Sequence, residues 1–211
     1  GSTQYQYGFQ PDTLVFTKDQ LRQRFSSFGG KIGVRNKTIN AASISYNPSL
    51  SLGLFADNHS GTETNFILDA PLSKSFGKIF SFDLGLTADI TSFKSDTTTI
   101  NNNLYYLTPA VNFKTPNFIL KVGLRPSWDN QVFSMLPNFS AEAKIKDERF
   151  ILVAGWIGYF NKTTYEYLAG LNPWIQQPQS LLNTRMSEQY AGFKGAAGSH
   201  FTYNAKVSFI K

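Results

Sequence analysis

Only a few residues here have types that could carry chemistry. The chain holds two histidines, His59 and His200, and no cysteine, so thiolate nucleophiles, thiolate metal sites and disulfides are excluded. His59 stands in a "DNHSG" stretch and His200 beside the glycines of "GAAGS". Neither has a carboxylate at a spacing that would make it a general base or a metal ligand, so both read as turn residues. Asp83 and Asp89 share a face of one alternating stretch, but six residues of extended chain hold them about 20 Å apart, too far for paired-carboxylate catalysis. They read instead as charges paired with bases on neighbouring strands. "GFKGAAGS" lacks the order of a phosphate-binding loop and is not placed between a strand and a helix. Asn58-His59-Ser60 and Asn161-Lys162-Thr163 fit a glycosylation pattern, a short match that carries no weight by itself. No enzymatic constellation, metal set or cofactor motif emerges, and the expectation is a protein that is not an enzyme.

The elements that carry these residues are strands. In "SISYNPSLSLGLF", Ile44, Tyr46, Pro48, Leu50, Leu52 and Leu54 alternate with Ser43, Ser45, Asn47, Ser49, Ser51 and Gly53. Side chains alternate between the two faces of a strand, so one side is oily and the other polar. The pattern returns at 80–91, 118–128, 133–146 and 200–209, and less regularly at 24–35, 63–74, 103–114, 150–160 and 188–196. That makes ten strands. Several hold the alternation for ten residues or more, whereas strands of soluble proteins average about 5–6 residues. The longest apolar run, "FILVAGWIGYF", is too short for a membrane helix of roughly 20 residues but suits a membrane strand of about 9–11.

Asp69, Asp83, Asp89, Lys121, Arg125, Glu142, Lys144 and Lys206 fall on the polar face near the middle of strands. Burying them in a dry core would be costly unless each were paired. A membrane barrel resolves this, with the polar face lining a wet lumen and the apolar face meeting lipid. The alternative is a soluble β-sandwich or barrel with the apolar face inside. The expected fold is thus all-β: an antiparallel up-and-down transmembrane β-barrel of about ten strands, with residues 1–21 an N-terminal loop or extra strand and 22–211 the barrel. Pro48, Pro109, Pro126 and Pro137 sit on the apolar face, where proline demands a bulge or an interruption.

Composition agrees. Charged residues are 16% of the chain, and Phe and Tyr number 19 and 10, a mixture suited to strands. The formal charge of +6 is spread thinly rather than gathered into the patch of a nucleic-acid binder, so no nucleic-acid partner is expected. Long connections are expected at 91–103 and 161–187, both after even-numbered strands, with short ones at the other end. Membrane barrels place long loops outside and short turns in the periplasm. By that alternation both ends of a ten-stranded set lie outside. Either an odd strand is missed at each end, for which "TLVFT" at 13–17 is one candidate, or the chain is part of a longer barrel, which the Gly1-Ser2 start and a last residue that is not aromatic favour. Segment 161–187 brings Tyr165, Tyr167 and Trp174 out of the strand pattern. They are the expected recognition residues, with packing of the loop on the rim as the alternative.

"LLNTRMSEQYAGFKGAAGSHFTYNAKVSF", "WDNQVFSMLPNFSAEAKIKDERFILVAGWIGYF", "LFADNHSGTETNFILDAPL" and "TINNNLYYLTPAVNFKTPNFIL" resemble barrel segments of the TonB-dependent receptor-like outer-membrane proteins, and the likeness extends over most of residues 11–211. It implies a Gram-negative outer-membrane location and, for full-length members, energy-coupled import of a large nutrient. No globular plug domain and no TonB box are recognisable in the chain. The partners implied are outer-membrane lipid, other outer-membrane or periplasmic proteins, and an unidentified nutrient. A non-transporting surface barrel that anchors partners is the second reading, and a soluble ligand-binding module the third.

Overall fold

The structure, a computed structural model, describes residues 1–5, 17–37, 42–146, 149–198 and 200–211. One antiparallel sheet of twelve strands dominates it. In chain order these are β1 (Ser2–Tyr5), β2 (Arg22–Gly33), β3 (Ile44–Tyr46), β4 (Ser49–Asp57), β5 (Thr62–Phe76), β6 (Phe80–Lys94), β7 (Thr99–Lys114), β8 (Phe118–Asp129), β9 (Val132–Lys146), β10 (Phe150–Asn161), β11 (Thr184–Ala197) and β12 (Phe201–Ile210), with one helix, α1 (Tyr165–Leu171), before β11. Each strand pairs with the next in sequence, except that β2 pairs with β4, and β3 pairs with β5 beside it. The all-β, antiparallel, up-and-down expectation therefore holds. Among the described residues the sheet is not closed: β1 and β12 are its two edges and are not bonded to each other.

Two strands exceed the expected ten, each for a local reason. β1 is too short and polar to show a pattern, yet it pairs with β2 from Ser2↔Phe25 to Tyr5↔Arg22. The stretch 43–55 is divided at Asn47-Pro48, because proline has no N–H for the ladder. β3 and β4 nevertheless keep one register against β5, from Ile44↔Lys74 to Ala56↔Thr62. The candidate strand 13–17 lies, but for Thr17, outside the described residues. The long connection expected at 91–103 is absent. β6 runs on to Lys94 and β7 begins at Thr99, with the turn closed by Ser95 N donating to Thr98 O at 2.8 Å. The Asn and Thr that suggested a loop are strand residues pairing across β6 and β7, as in Thr91↔Asn102.

The prolines interrupt ladders without shifting them. β7 and β8 pair at Tyr106↔Ser127 and again at Ala110↔Gly123 in the same register, and the bonds lapse only between, where Pro109 and Pro126 stand. No bulge is needed there. The β8–β9 hairpin turns on Asn130 and Gln131, both at positive φ (47° and 75°), the geometry of a two-residue turn whose twist matches the strands it joins.

Register carries each face unbroken across the sheet. Along β6, Ser81, Asp83, Gly85, Thr87, Asp89, Thr91 and Phe93 are buried or half-buried, while Phe80, Phe82, Leu84, Leu86 and Ile90 are exposed. Burial thus alternates in the opposite sense to hydropathy, and β8 shares the pattern, whereas β10 alternates in burial but is apolar on both faces. The covered side is the polar side. The soluble alternative requires the apolar face to be the interior; here that face is open, with Phe82, Leu86, Val122, Leu124 and Leu152 each at least 40% exposed.

Candidate functional site: a strap on the polar face

Residues 162–183, between β10 and β11, fold back over the polar face as a strap. At its start Thr164 caps α1, its side chain accepting a bond from Tyr167 N. The next donors of that turn go to the sheet: Tyr165 N donates to Glu63 Oε2 at 2.6 Å and Glu166 N to Glu63 Oε1 at 3.2 Å. A carboxylate facing the first turn of a helix is favoured by both its free N–H groups and its dipole. The strap therefore becomes helical where the sheet supplies an acid to hold it.

Below α1 lies the main apolar cluster on this face. Phe25 from β2, Phe55 from β4 and Phe93 from β6 pack against Tyr165, Ala169 and Leu181. Phe25 and Phe55 stack at 5.3 Å, and Tyr165 meets Phe55 and Phe93 edge-on at 5.6 and 4.9 Å. The Tyr165 hydroxyl donates to Asp57 Oδ2 at 2.5 Å, and Gln177 Nε2 donates to the same oxygen at 3.0 Å. Burial, joined by the hydrogen bond to Asp57 and the charges of Asp57 and Glu63, pushes the Tyr165 phenol above its ordinary range.

A polar layer fixes both ends of the strap. Lys162 crosses to β6 and forms an ion pair with Asp89, their side chains 10% and 18% exposed. Burial pushes the Lys162 ammonium below its usual range, while the hydrogen bond and charge of Asp89 oppose that fall. Asn65 Nδ2 donates to Asp89 Oδ1 at 2.9 Å. Where the strap returns to β11, the Asn183 amide donates to Asn102 Oδ1 and Asp129 Oδ1, both at 2.7 Å. Its own oxygen accepts from Asn102 Nδ2 at 2.9 Å and Thr163 N at 3.0 Å. Asn102 itself is fully buried. Since both amides in the pair have their donors and acceptors used, their burial costs little.

The eight charged residues expected on the polar face all lie there, but among the described residues Asp83 and Asp89 do not pair with bases on neighbouring strands. Asp89 pairs with Lys162 of the strap instead of a base on a neighbouring strand. Asp83 accepts from the Asn112 amide at 2.7 Å, and Asp69 from the Thr87 hydroxyl at 2.9 Å. Glu142 pairs with Lys194, and Lys206 with Glu188; Lys144 shares this face opposite Ile151. Arg125 serves the backbone: the β9–β10 ladder stops at Ile157↔Asn138, short of Pro137, and the next carbonyl, Gly158 O, accepts from Arg125 Nη1 at 2.9 Å. Tyr106 lies under the guanidinium at 5.5 Å. Lys121 has no hydrogen-bonding or ion-pair partner among the described residues.

The three expected recognition aromatics are separated. Tyr165 is buried at 1% exposure and cannot meet a partner while the strap is docked; Tyr167 is half exposed on its outer side, and Trp174 is half-buried. Burial of Tyr165 has a plain cause, the three phenylalanines that interrupt the polar face on β2, β4 and β6. Those phenylalanines were the legible signal, and the acids Asp57, Glu63 and Asp129 had none. His59 is exposed, with its ring Nε2 3.2 Å from the Asn58 amide. No group of acids and histidines that could hold a metal exists among the described residues. No family model, curated protein or solved structure matches this chain.

Proposed function

We propose that this chain forms wall of an outer-membrane β-barrel of the TonB-dependent receptor-like type, with a transport or channel role and recognition through the end that carries the strap. The observation that carries it is the inverted sheet: the polar face is covered and the apolar face has nothing upon it. Eight strands, β5 to β12, run from ten to sixteen residues, enough for the about 9–11 that cross a bilayer. Aromatics on the apolar face gather towards its two ends. Phe80, Phe113 and Phe118 form one contacting row at the short-turn end, continued by Phe150, Phe193 and Tyr203. Trp128 and Phe133 form a pair at the opposite end, while Phe139 and Trp156 stack at mid-strand. Between the two ends lie aliphatic residues such as Leu84, Leu86 and Leu124. Two aromatic girdles around an aliphatic band are what membrane barrels present to lipid.

In this reading the strap lies across the lumen and narrows it, and Tyr167 and Trp174 remain the aromatics available to a ligand or partner. A spanning sheet cannot leave edge amides in hydrocarbon, so β1, the free part of β2, and β12 are paired in the membrane by further strands. The deciding measurement is stability in liposomes. Leu86→Arg should destabilise the inserted protein by about 2–4 kcal/mol, the cost of an arginine facing mid-bilayer lipid, whereas in water the same change on an exposed face would be nearly neutral. A Leu86→Arg chain that is unchanged in stability and monomeric without detergent would sink the membrane reading. Conductance in planar bilayers separates transport from anchoring: a folded, inserted and non-conducting full-length protein with no uptake favours the anchor.

A further inference from the structure

A second feature of the polar face lies at the end away from the strap. The chain leaving β2 continues in the sheet beside Pro48 and β3 and is held there: Val34 N donates to Pro48 O at 2.9 Å, Asn36 Nδ2 to Ile44 O at 3.0 Å, and Tyr46 N to Asn36 Oδ1 at 2.9 Å. Arg35, between these anchors, borders a cavity of about 530 Å³ whose other polar groups include Lys121, Asp83, Ser45, Ser73 and Thr108. That volume is within the range of small-molecule sites. Its walls mix hydroxyls, amides and charges with Tyr46, Pro71 and Leu72, whereas the dents on the opposite face are mainly apolar. Gly85 makes room for the Thr108 side chain at the floor, since a Cβ there would lie 2.2 Å from Thr108 Oγ1.

The charges in the cavity do not cancel. Arg35 and Lys121 are both cationic, and the single acid, Asp83, has one oxygen taken by Asn112 Nδ2 at 2.7 Å. Neither cation has a hydrogen bond or an ion pair through its side chain among the described residues. Every other charge expected at mid-strand on this face has a partner. A half-buried ammonium without a counter-ion is the costlier arrangement, and an anionic ligand would relieve it. The hydroxyls of Ser45, Ser73 and Thr108 and the remaining oxygen of Asp83 suit the hydroxyl groups of a polyol.

We infer that this cavity binds a small hydroxylated anion of the sugar-acid class, its carboxylate between Lys121 and Arg35 and its hydroxyls towards Asp83 and Thr108. The inference rests on the polar face being the water-filled side of the sheet, and it extends the proposed function by naming a ligand class.

The test is calorimetric titration of the folded 211-residue chain in detergent with glucuronate, glucose and inorganic phosphate. Glucuronate should bind saturably, with glucose and phosphate each weaker by about tenfold or more, as loss of a charge-assisted contact or of several hydroxyl bonds implies. Lys121→Gln and Arg35→Gln should each weaken glucuronate to a similar degree, and Lys194→Gln, on the same face but paired with Glu142, should not. Far-ultraviolet circular dichroism reports whether each variant keeps its sheet. Absence of saturable glucuronate binding by the folded chain would overturn the assignment, as would equal affinity for glucose or full affinity in a folded Lys121→Gln chain. Phosphate binding as tightly as glucuronate would overturn the sugar part. If the chain proves soluble without detergent, the membrane reading fails by that result alone, and the titration still reports on the cavity.

Discussion

Arg125 stands on the polar face of β8, and its use is structural: Pro137 gives no N–H, and the guanidinium supplies the donor that Gly158 O would otherwise lack. Arg125→Met keeps most of the stem and removes that donor, leaving a carbonyl unpaired within the sheet. The expected loss is about 1–3 kcal/mol, read from urea unfolding in detergent, and a Pro137→Ala change in the same chain should recover part of it. Tyr165 shows a comparable economy, one side chain filling the apolar cluster with its ring and reaching Asp57 with its hydroxyl. Tyr165→Phe retains the ring and forfeits a bond to a carboxylate, a change of about 1.5–3 kcal/mol in strap docking. Proteolysis within 162–183 should quicken accordingly.

The phenol also gives docking a pH dependence of known sign. Its docked-state pKa is raised by burial and by Asp57, so its contribution is complete below the ordinary phenol value of about 10 and is lost as pH climbs through the raised value. Lys162, held low by burial, works in the opposite sense over the alkaline range. The two are separated by comparison with Tyr165→Phe. The native chain should show an alkaline loss of docking that the variant lacks. Because the chain has no cysteine, a thiol introduced by Leu171→Cys at an exposed strap position can carry a fluorophore to follow it. Identical pH profiles for the two chains would refute the assignment.

At the scale of elements, the strap is fixed both by its own apolar residues, Tyr165, Ala169 and Leu181, and by the polar partners that the sheet offers. Lys162 and Asp89 form its most buried ion pair, and breaking such a pair from one side is much worse than removing both partners. Lys162→Met alone should therefore cost about 3–5 kcal/mol, seen as faster hydrogen exchange over 162–183, while Lys162→Met with Asp89→Asn should regain most of the loss. Additive effects in the double variant would mean that the two do not interact. The prolines make a similar point about strands. Each removes one donor, but pairing on both sides of the gap at Pro109 and Pro126 keeps the register, since a one-residue slip would turn every leucine to the polar side.

For the whole molecule, the open edges are the feature with the largest consequence. β12 is exposed over most of its length, as is β2 beyond its short pairing with β1. In a bilayer such edges must find strands. On the proposed outer-membrane reading, amide exchange over 201–210 should be strongly protected for the protein in its native membrane and rapid when this chain is alone in detergent. Equally rapid exchange in both states would show that β12 remains an edge and that the sheet does not continue past it.

The alternation of leucine and serine determined by itself that these segments are strands, which residues share a face, and that charges sit opposite an oily surface. It did so because side-chain direction in a strand has period two whatever the strand packs against. The eight mid-strand charges were placed on their face by that rule alone. What each charge meets was decided only by tertiary structure. The Asp89 partner lies 73 residues away on the strap, and the acids holding Tyr165 lie 102 and 108 residues from it, distances over which no spacing rule operates. The short turn at 95–98 was hidden for a related reason: asparagine and threonine are loop-like by local preference, and only pairing with β6 and contact with the strap make Asn102 an interior strand residue. Which face is covered was likewise beyond the pattern, because hydropathy alternation is symmetric with respect to inside and outside. The fold of the strap over the serine side breaks that symmetry.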